Sequence, residues 1–195
     1  MVMATISDEQ YPAISIRPAS PADAAAVAAV HVASWCETYA GLLPEEMPLA
    51  LSVADRTERW KHILDQASNA GGAIVFVAER NACVVGFASG GPQRDQSFRA
   101  QGLTSEITAI YVLQSAQGLG IGRRLMTSVA NVLRDSGHRS GSLWVLRDNR
   151  PARAFYEALG GVVIAEKEDR RDDVILIEVA YAWRDIAALA PQQQT

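Results

Sequence analysis

The chain has 195 residues, of which 49% are hydrophobic, so it can bury one substantial core and is most simply a single domain. Its 18 basic and 22 acidic residues give a net charge of −4, which lacks the basic footprint of a nucleic-acid-binding protein. Cys36 and Cys83 make no disulfide framework, residues 1–11 hold no apolar signal segment, and the longest apolar run, 24–33, is too short to span a bilayer. We therefore expect a reduced, cytoplasmic protein that binds neither nucleic acid nor membrane.

The first part of the chain predicts a strand and two helices. Residues 14–17 are predicted to form the strand. The run Ser20-Pro21-Ala22-Asp23 then marks a helix start, with Ser as the N-cap, Pro at the first helical position and an acid at the third. The run Ser52-Val53-Ala54-Asp55 repeats this pattern and begins a second helix, which Gly71-Gly72 should end. The apolar face of this second helix comprises Trp60, Ile63, Leu64 and Ala67.

Three more strands are predicted between residues 74 and 113. Residues 74–78 and 83–89 flank a polar turn of four residues, which favours a hairpin. The polar stretch 90–102 is predicted as a mobile loop, and residues 104–113 as the next strand. Strict alternation along that strand would place Glu106, Thr108 and Ile110 on one face and Ile107, Ala109 and Tyr111 on the other.

Three glycines spaced by single residues, Gly118, Gly120 and Gly122, join this strand to a helix pattern that continues to Ser136-Gly137. Glycine lets the backbone approach a ligand closely and adopt positive φ at no steric cost, and a helix N-terminus presents unpaired N–H groups. Such a junction favours phosphate oxygens as ligands. The spacing departs from the mononucleotide loop G-x-x-x-x-G-K-[ST] and from the dinucleotide fingerprint G-x-G-x-x-G, so both of those ligands are disfavoured.

The next elements predict a strand–helix–strand crossover. Residues 142–146 form the strand that follows the glycine-loop helix, and a right-handed crossover of this length makes it a parallel neighbour of 104–113. Asn149 is predicted to cap a short helix after this strand. The apolar face of that helix comprises Ala152, Phe155 and Leu159.

A hairpin closes the predicted fold. It joins residues 162–165 to 174–181 through a charged turn, 166–173. The sum is a mixed sheet flanked by helices, formed by one domain over residues 13–188. Short tails, residues 1–12 and 189–195, lie on either side of this domain.

Two motifs in the second half resemble a known family. The run Gln117-x-x-Gly120-x-Gly122 resembles the Q/R-x-x-G-x-G/A signature of the GNAT N-acetyltransferase superfamily. The run from Asn149 to Gly160 resembles the next motif of that family, N-x-x-A-x-x-F-Y-x-x-L-G, and the two motifs stand in the family's order at a typical separation. The resemblance covers roughly residues 14–185. One departure is Gly161, where many members of the family have Phe.

The resemblance implies an α+β fold with a twisted mixed sheet between helical layers, in which a central parallel strand pair splays apart. It also implies acetyl-coenzyme A (acetyl-CoA) as co-substrate, with its pantetheine arm in the gap and its pyrophosphate on the glycine loop. Free N–H groups around residues 110–112 would polarise the thioester carbonyl and pair with the pantetheine amides. The implied cofactor-binding residues are Ile110, Tyr111, Val112, Gln117, Gly118, Leu119, Gly120, Ile121, Gly122, Arg123, Arg124, Asn149 and Tyr156.

Acetyl transfer to an amine needs a base for the ammonium and an acid for the departing thiolate. Glu106 is the only carboxylate in its strand, and several family members keep a glutamate there that deprotonates the amine, directly or through water. The alternative is an ordinary solvated strand residue, with Glu37 as the first substitute base. Tyr156 holds the family's position for the acid, and a phenol of pKa ~10 donates favourably to a thiolate whose thiol has a pKa of ~8.5. Its alternative is an aromatic residue at the edge of the core.

The resemblance also places the end of the first helix beside the acceptor cleft, so Trp35 and Tyr39 are candidate acceptor-binding residues, with core packing as the alternative. His31 and His138 have no partners at metal-ligand spacing, and we expect no metal. Two function classes stay open, an acetyl-CoA-dependent N-acetyltransferase for a small or peptide amine and a non-catalytic acyl-CoA sensor. The last hairpin offers an edge strand that could pair with a second copy of the chain.

Overall fold

The computed structural model describes residues 13–39, 52–67, 72–171 and 174–190. The predicted N-terminal tail, residues 1–12, lies outside the described residues, as do Gly71 and the last five residues of the chain. Within the described ranges no helix is both long and apolar enough to cross a membrane.

In the described part of the chain, seven strands form one sheet with the spatial order β1-β2-β3-β4-β5-β7-β6. Strands β4 and β5 run parallel, as the crossover pattern predicts, and every other neighbouring pair is antiparallel. The strands are β1 (Ile14–Pro18), β2 (Ile74–Arg80), β3 (Cys83–Pro92), β4 (Ser105–Val112), β5 (Gly141–Leu146), β6 (Val162–Arg171) and β7 (Val174–Trp183).

Helices cover both faces of this sheet. Helices α4 and α5 pack on one face, and α1 and α2 pack on the opposite face over β2 and β3. Short 3-10 turns precede α1, follow β4 and close the described chain at Ile186–Leu189. Within the described residues the α-helices are α1 (Ala24–Tyr39), α2 (Val53–Gln66), α3 (Gln96–Ala100), α4 (Ile121–Asp135) and α5 (Arg150–Ala158).

Local capping signals place the helix starts where they were predicted. The Asp23 carboxylate accepts from the Ser20 backbone N–H at 2.7 Å, at the 3-10 turn that leads into α1. The Ser52 hydroxyl accepts from the Asp55 N–H at 3.2 Å at the start of α2. Each bond satisfies a donor that the helix end would otherwise leave open.

Helix α4 supplies the centre of the larger core. Its buried side chains recur every three or four residues, so one stripe of the helix faces the sheet. Burying each large aliphatic side chain of this kind contributes roughly 1.5–3 kcal/mol. These residues are Ile121, Leu125, Met126, Val129, Ala130 and Leu133.

The stretch 90–102 is not the mobile loop that its polar composition predicts. Strand β3 continues to Pro92, and helix α3 fills most of the remainder. Gln93 is 2% exposed, and its amide nitrogen donates to the Ser142 hydroxyl at 2.7 Å and to the Ser105 carbonyl at 3.2 Å. This buried amide has its hydrogen-bond partners and ties the segment after β3 to β4 and β5, which average polarity cannot reveal.

Both hairpins have longer strands than predicted. The β2–β3 turn is reduced to Asn81 and Ala82, whose φ angles of 52° and 60° suit a tight hairpin. The prediction of a charged turn over residues 166–173 is wrong for residues 166–171, because these residues continue β6 and pair with β7. Charged side chains are common on an edge strand because they discourage pairing with other chains.

Trp183 accounts for the departure from the family motif at Gly161. A Cβ at Gly161 would lie 2.8 Å from the Trp183 ring and 2.9 Å from the Tyr156 carbonyl. The Trp183 indole N–H donates to the Leu159 carbonyl at 2.8 Å, which fixes the ring over the end of α5. The indole occupies this position, so the chain requires glycine there.

Candidate acetyl-coenzyme A cleft and acceptor cavity

The parallel strands β4 and β5 separate soon after they meet. They pair at Ser105 with Gly141 and at Glu106 with Ser142, and then diverge toward their carboxyl ends. The gap opens into a cleft of about 970 Å³, lined by β4, β5, the loop after β4 and the N-terminal ends of α4 and α5. Beyond Glu106 no strand among the described residues pairs with the β5-facing edge of β4, so the backbone groups of this edge face the cleft.

A β-bulge interrupts β4 beside this cleft. Ser89 and Gly90 are adjacent in β3, yet they pair with Ala109 and Ile107, which leaves Thr108 as the extra residue. The Thr108 hydroxyl hydrogen-bonds the Ser89 hydroxyl at 2.6 Å. The bulge therefore shifts the strand by one residue at Thr108.

Strict alternation along β4 is wrong because of this bulge. Ile107 packs with Ile110 in the core under α4, whereas Ala109 and Tyr111 pack on the α1–α2 side. Glu106 lines a cavity together with Ala109 on that second side. The carboxylate thus faces away from the helix that carries the glycine loop.

The glycine loop has open backbone donors at a helix N-terminus. Gly118 and Gly120 adopt φ angles of +76° and +75°, and Gly120 is the N-cap of α4. The Arg124 N–H bonds back to the Gly120 carbonyl at 3.1 Å and is the first to join the helix. The N–H groups of residues 121–123 therefore point out of the helix end, where the helix dipole favours an anion.

Neighbouring side chains brace this loop. The Gln117 side-chain amide donates to the Val112 carbonyl at 3.0 Å, which fixes the loop to the end of β4. A Cβ at Gly122 would lie 3.2 Å from the tip of the Phe155 ring, so α5 packs directly on the first turn of α4. The third glycine lets the Phe155 ring pack this closely without a shift, whereas the first two glycines supply positive φ.

The second motif places Tyr156 at the wall of the cleft. The Asn149 side chain accepts from the Ala152 N–H at 3.2 Å, which caps α5 as predicted. Tyr156 is 6% exposed and lines the cleft. Its ring lies 5.8 Å from the Tyr181 ring and 6.3 Å from the Trp183 ring, so packing fixes its orientation.

Helix α1 contributes an unsatisfied hydroxyl to the same cleft. Ser34 is 2% exposed, and its Oγ finds no hydrogen-bond partner among the described residues. Glu37 also lines the cleft, but its carboxylate accepts from the Gln114 N–H at 2.8 Å. Trp35 lines neither cavity, and the side chain of Tyr39 lies outside the described residues.

A second cavity of about 480 Å³ lies on the α2 side of β4. It shares Thr108 and Ala109 with the larger cleft, so both spaces border the bulge. Glu106 lines only this second cavity, with its side chain 13% exposed and ion-paired to Arg94. Tyr156 lines only the first.

Basic and aromatic residues surround Glu106 in this cavity, and the arginines among them belong to no motif that the sequence alone reveals. His31 contacts three aromatic rings and accepts a hydrogen bond from the Trp60 indole at 3.3 Å. Burial, with help from Arg56 and Arg59, lowers the pKa of His31 to about 4, so its ring is neutral at pH 7. The arginines lining the cavity are Arg56, Arg59, Arg94 and Arg99.

Two predicted cofactor residues lie outside the cleft lining. Leu119 is 42% exposed at the tip of the loop, and the Arg124 guanidinium donates to the Ile14 carbonyl at 3.0 Å. The remaining residues of that set line the cleft, namely Ile110, Tyr111, Val112, Gln117, Gly118, Gly120, Ile121, Gly122, Arg123, Asn149 and Tyr156. No group of three or more metal-ligating side chains occurs in the part of the chain that the structure describes.

A splayed parallel pair with a glycine-rich helix N-terminus at its mouth is the architecture of acetyl-CoA-dependent acetyltransferases. Residues 33–161 match the model of the Acetyltransferase (GNAT) family, and the chain belongs to this family. It is 34% identical to the uncharacterized N-acetyltransferase YuaI of Bacillus subtilis, over 90% of this chain and 96% of that protein.

Two solved structures share the fold. PaiA N-acetyltransferase from Thermoplasma acidophilum, in complex with coenzyme A, superposes with a TM-score of 0.66 at 20% identity, covering 86% of this chain and 98% of that one. The putative acetyltransferase YncA from Salmonella typhimurium, with acetyl-CoA, gives a TM-score of 0.65 at 21% identity, covering 88% and 93%.

The residues of the larger cleft fit acetyl-CoA. Open N–H groups at residues 121–123 suit its pyrophosphate, and the unpaired edge of β4 suits the amides of its pantetheine arm. Ser34 offers a buried donor without a protein partner among the described residues. The pyrophosphate and the extended pantetheine arm of acetyl-CoA together carry hydrogen-bonding atoms that can match the loop N–H groups, the edge of β4 and the Ser34 hydroxyl.

Proposed function

We propose that this protein transfers the acetyl group of acetyl-CoA to a primary amine, by direct attack of the amine in a ternary complex. The observation that carries this proposal is a wall at Thr108 and Ala109 that borders two cavities. One cavity fits the thioester and contains Tyr156, and the other contains Glu106. Each candidate proton-transfer residue therefore stands on the side of β4 where its reaction partner would bind.

On the cofactor side, the protein orients the thioester and excludes water. The loop donors would hold the pyrophosphate, and the backbone of residues 110–112 would hold the pantetheine arm and polarise the carbonyl. Tyr156 would donate its phenolic proton to the departing thiolate, since its pKa in an ordinary setting exceeds that of a thiol. Burial against two aromatic rings would keep the hydroxyl in one position.

On the acceptor side, Glu106 would take a proton from the substrate ammonium, directly or through water. A lysine-like amine is neutral in fewer than about one molecule in a thousand at pH 7, so a positioned base raises the reactive fraction. The C–N bond forms as the C–S bond breaks. The ammonium releases two protons in all and the thiolate takes one, so each turnover frees one proton.

Direct attack is favoured because neither cysteine of the chain lines either cavity. A covalent acetyl-enzyme would need such a nucleophile close to the thioester. Incubation with acetyl-CoA and no acceptor should therefore leave the protein mass unchanged.

The test of the proposed activity is thiol release from acetyl-CoA with a panel of primary amines. Turnover with at least one amine is expected, with stoichiometric formation of the N-acetyl product. Tight binding of acetyl-CoA without thiol release for any amine would instead indicate a sensor built on the same fold. Binding is measured in parallel by calorimetry, so that the two outcomes are separated.

A further inference from the structure

The cavity on the α2 side of β4 carries an excess of positive charge. Four arginines line it, and Glu106 is the only carboxylate in its described lining. His31 contributes no charge near pH 7, since burial holds its ring neutral. The described lining therefore has three positive charges more than negative ones, although the chain as a whole has a net charge of −4.

Two of these arginines lie on one face of α2. Arg56 and Arg59 precede Trp60 and Ile63, and all four residues line the cavity at helical spacing. Neither Arg56 nor Arg59 makes an ion pair with a carboxylate in the described part of the chain. Unneutralised guanidinium groups in a concave site attract an anion, and their planar donors suit a carboxylate.

A third arginine is held in place by the backbone. The Arg99 side chain donates through Nε to the Gln93 carbonyl, which leaves the outer end of its guanidinium available to a ligand. Arg99 belongs to α3, so this side of the cavity comes from the segment that the sequence predicted as a mobile loop.

Glu106 and Arg94 form an ion pair that differs greatly in exposure between its two members. The Glu106 side chain is 13% exposed, whereas that of Arg94 is 76% exposed. An exposed arginine can turn toward solvent or toward a ligand at little cost, while the half-buried carboxylate is stabilised by a cationic partner. A ligand that brings its own cation to Glu106 and its own anion to Arg94 leaves both groups paired.

We propose that the acetyl acceptor is a small zwitterion, a primary amine of amino-acid size that also carries a carboxylate or a similar anion. Its ammonium replaces Arg94 at Glu106, next to the shared wall at Thr108. Its anionic group is held by Arg94 together with the arginines of α2. This inference rests on the proposed acetyl transfer, because it names the acceptor of that reaction.

The size and charge of the cavity exclude other amine classes as good acceptors. About 480 Å³ accommodates a small molecule in the range usual for ligand sites. A polyamine would bring further positive charge toward three uncompensated arginines. It also has no anionic group to pair with Arg94 once Arg94 leaves Glu106. An amine whose carboxylate is blocked as an amide would keep the ammonium contact and lose the anion contacts.

The first experiment compares matched acceptors by thiol release from acetyl-CoA. The common amino acids that carry a primary α-amine are assayed beside their carboxamides, with spermidine as a polyamine. We expect kcat/KM for the best amino acid to be at least tenfold higher than kcat/KM for its own carboxamide and for spermidine. Equal or faster acetylation of the carboxamide, or of spermidine, would overturn the inference while leaving acetyl transfer established.

The second experiment removes the positive charges of α2. The variants Arg56→Gln and Arg59→Gln should each raise KM for the best amino acid by about tenfold or more. The same variants should change KM for the carboxamide of that amino acid by less than threefold. Arg134 lies on α4, is ion-paired with Asp135 and lines neither cavity. Arg134→Gln removes the same charge as the other variants and should leave KM for both acceptors unchanged. A loss equal for the acid and the amide would mean that the arginines only support the fold.

A binding measurement keeps the inference separate from catalysis. The same amino acids and carboxamides are titrated by calorimetry into the protein saturated with coenzyme A. Preferential binding of the carboxylate form supports the inference even if no thiol is released, in which case the proposed acetyl transfer alone fails. Absence of that preference refutes the inference whatever the turnover.

Discussion

Replacing Gly120 by alanine should weaken acetyl-CoA binding through the backbone alone. Gly120 has φ +75°, and a Cβ there would touch no heavy atom within 4 Å, so the change adds strain without a clash. An L-residue in this left-handed region is less stable by roughly 1–2 kcal/mol. If the free loop relaxes and binding must restore the strained form, Kd rises by about 5- to 30-fold, since 1.4 kcal/mol corresponds to tenfold.

Gly137 provides the matched control at the other end of the same helix. Its φ is +90° and a Cβ there would also touch nothing within 4 Å, so Gly137→Ala carries the same kind of strain away from the cleft. Chemical denaturation should show a loss of stability for Gly120→Ala that is no larger than the loss for Gly137→Ala, because a loop that relaxes in the free protein does not retain the strain. Calorimetric titration should show a weaker Kd only for Gly120→Ala, and a smaller effect for Arg123→Ala. Unchanged acetyl-CoA affinity in a folded Gly120→Ala protein would refute the loop as the phosphate site.

Four further outcomes are expected. Tyr156→Phe should keep cofactor affinity and lower turnover by ~10²–10⁴-fold, and a loss below about threefold would assign the ring to packing. Glu106→Gln should reduce turnover strongly near pH 7, with a deficit that shrinks as pH rises toward 9.5 and free amine appears; a constant deficit would indicate positioning only. Burial lowers the pKa of His31 to about 4, so as the pH falls the unfolded chain takes up this proton before the folded protein does. The free energy of unfolding should therefore fall by up to about 3 kcal/mol between pH 6.5 and 4. Denaturation measured across this pH range should show a flatter decline for His31→Gln. Gly161→Ala should lower the unfolding free energy by roughly 1–3 kcal/mol through overpacking, whereas Gly91→Ala, with nothing within 4 Å, should change it little.

Features set within a few neighbouring residues were predictable from the sequence. The N-caps Ser52 and Asn149 bond the third residue after them, so type and spacing suffice to place both helix starts. The glycine loop is equally local, because positive φ at Gly118 and Gly120 and the open helix end follow from the chain around them. The motif resemblance added the family and the splayed strand pair, both of which the comparisons and the structure bear out.

Features set by contacts between distant segments were not predictable in this way. The bulge at Thr108 depends on the register between β3 and β4, and no pattern within β4 alone reveals which residue is extra. Glycine at 161 makes sense only once Trp183, 22 residues later, is seen to occupy the space beside it. Polar composition predicted a loop at Gln93, but the Gln93 side chain is buried because it hydrogen-bonds Ser105 and Ser142, which are distant in the sequence.

The sequence by itself determined the glycine-loop half of the candidate site, since a helix end that attracts anions is formed by consecutive residues whose backbone geometry decides the chemistry. The cavity on the α2 side of β4 was decided by tertiary structure. Its charges come from helix α2, from the segment around α3 and from β4, which are far apart in the chain and carry no shared motif. Only the folded sheet brings Arg56, Arg59 and Arg99 to the cavity that holds Glu106. Electrostatic interaction depends on distance in space, and sequence separation does not report that distance.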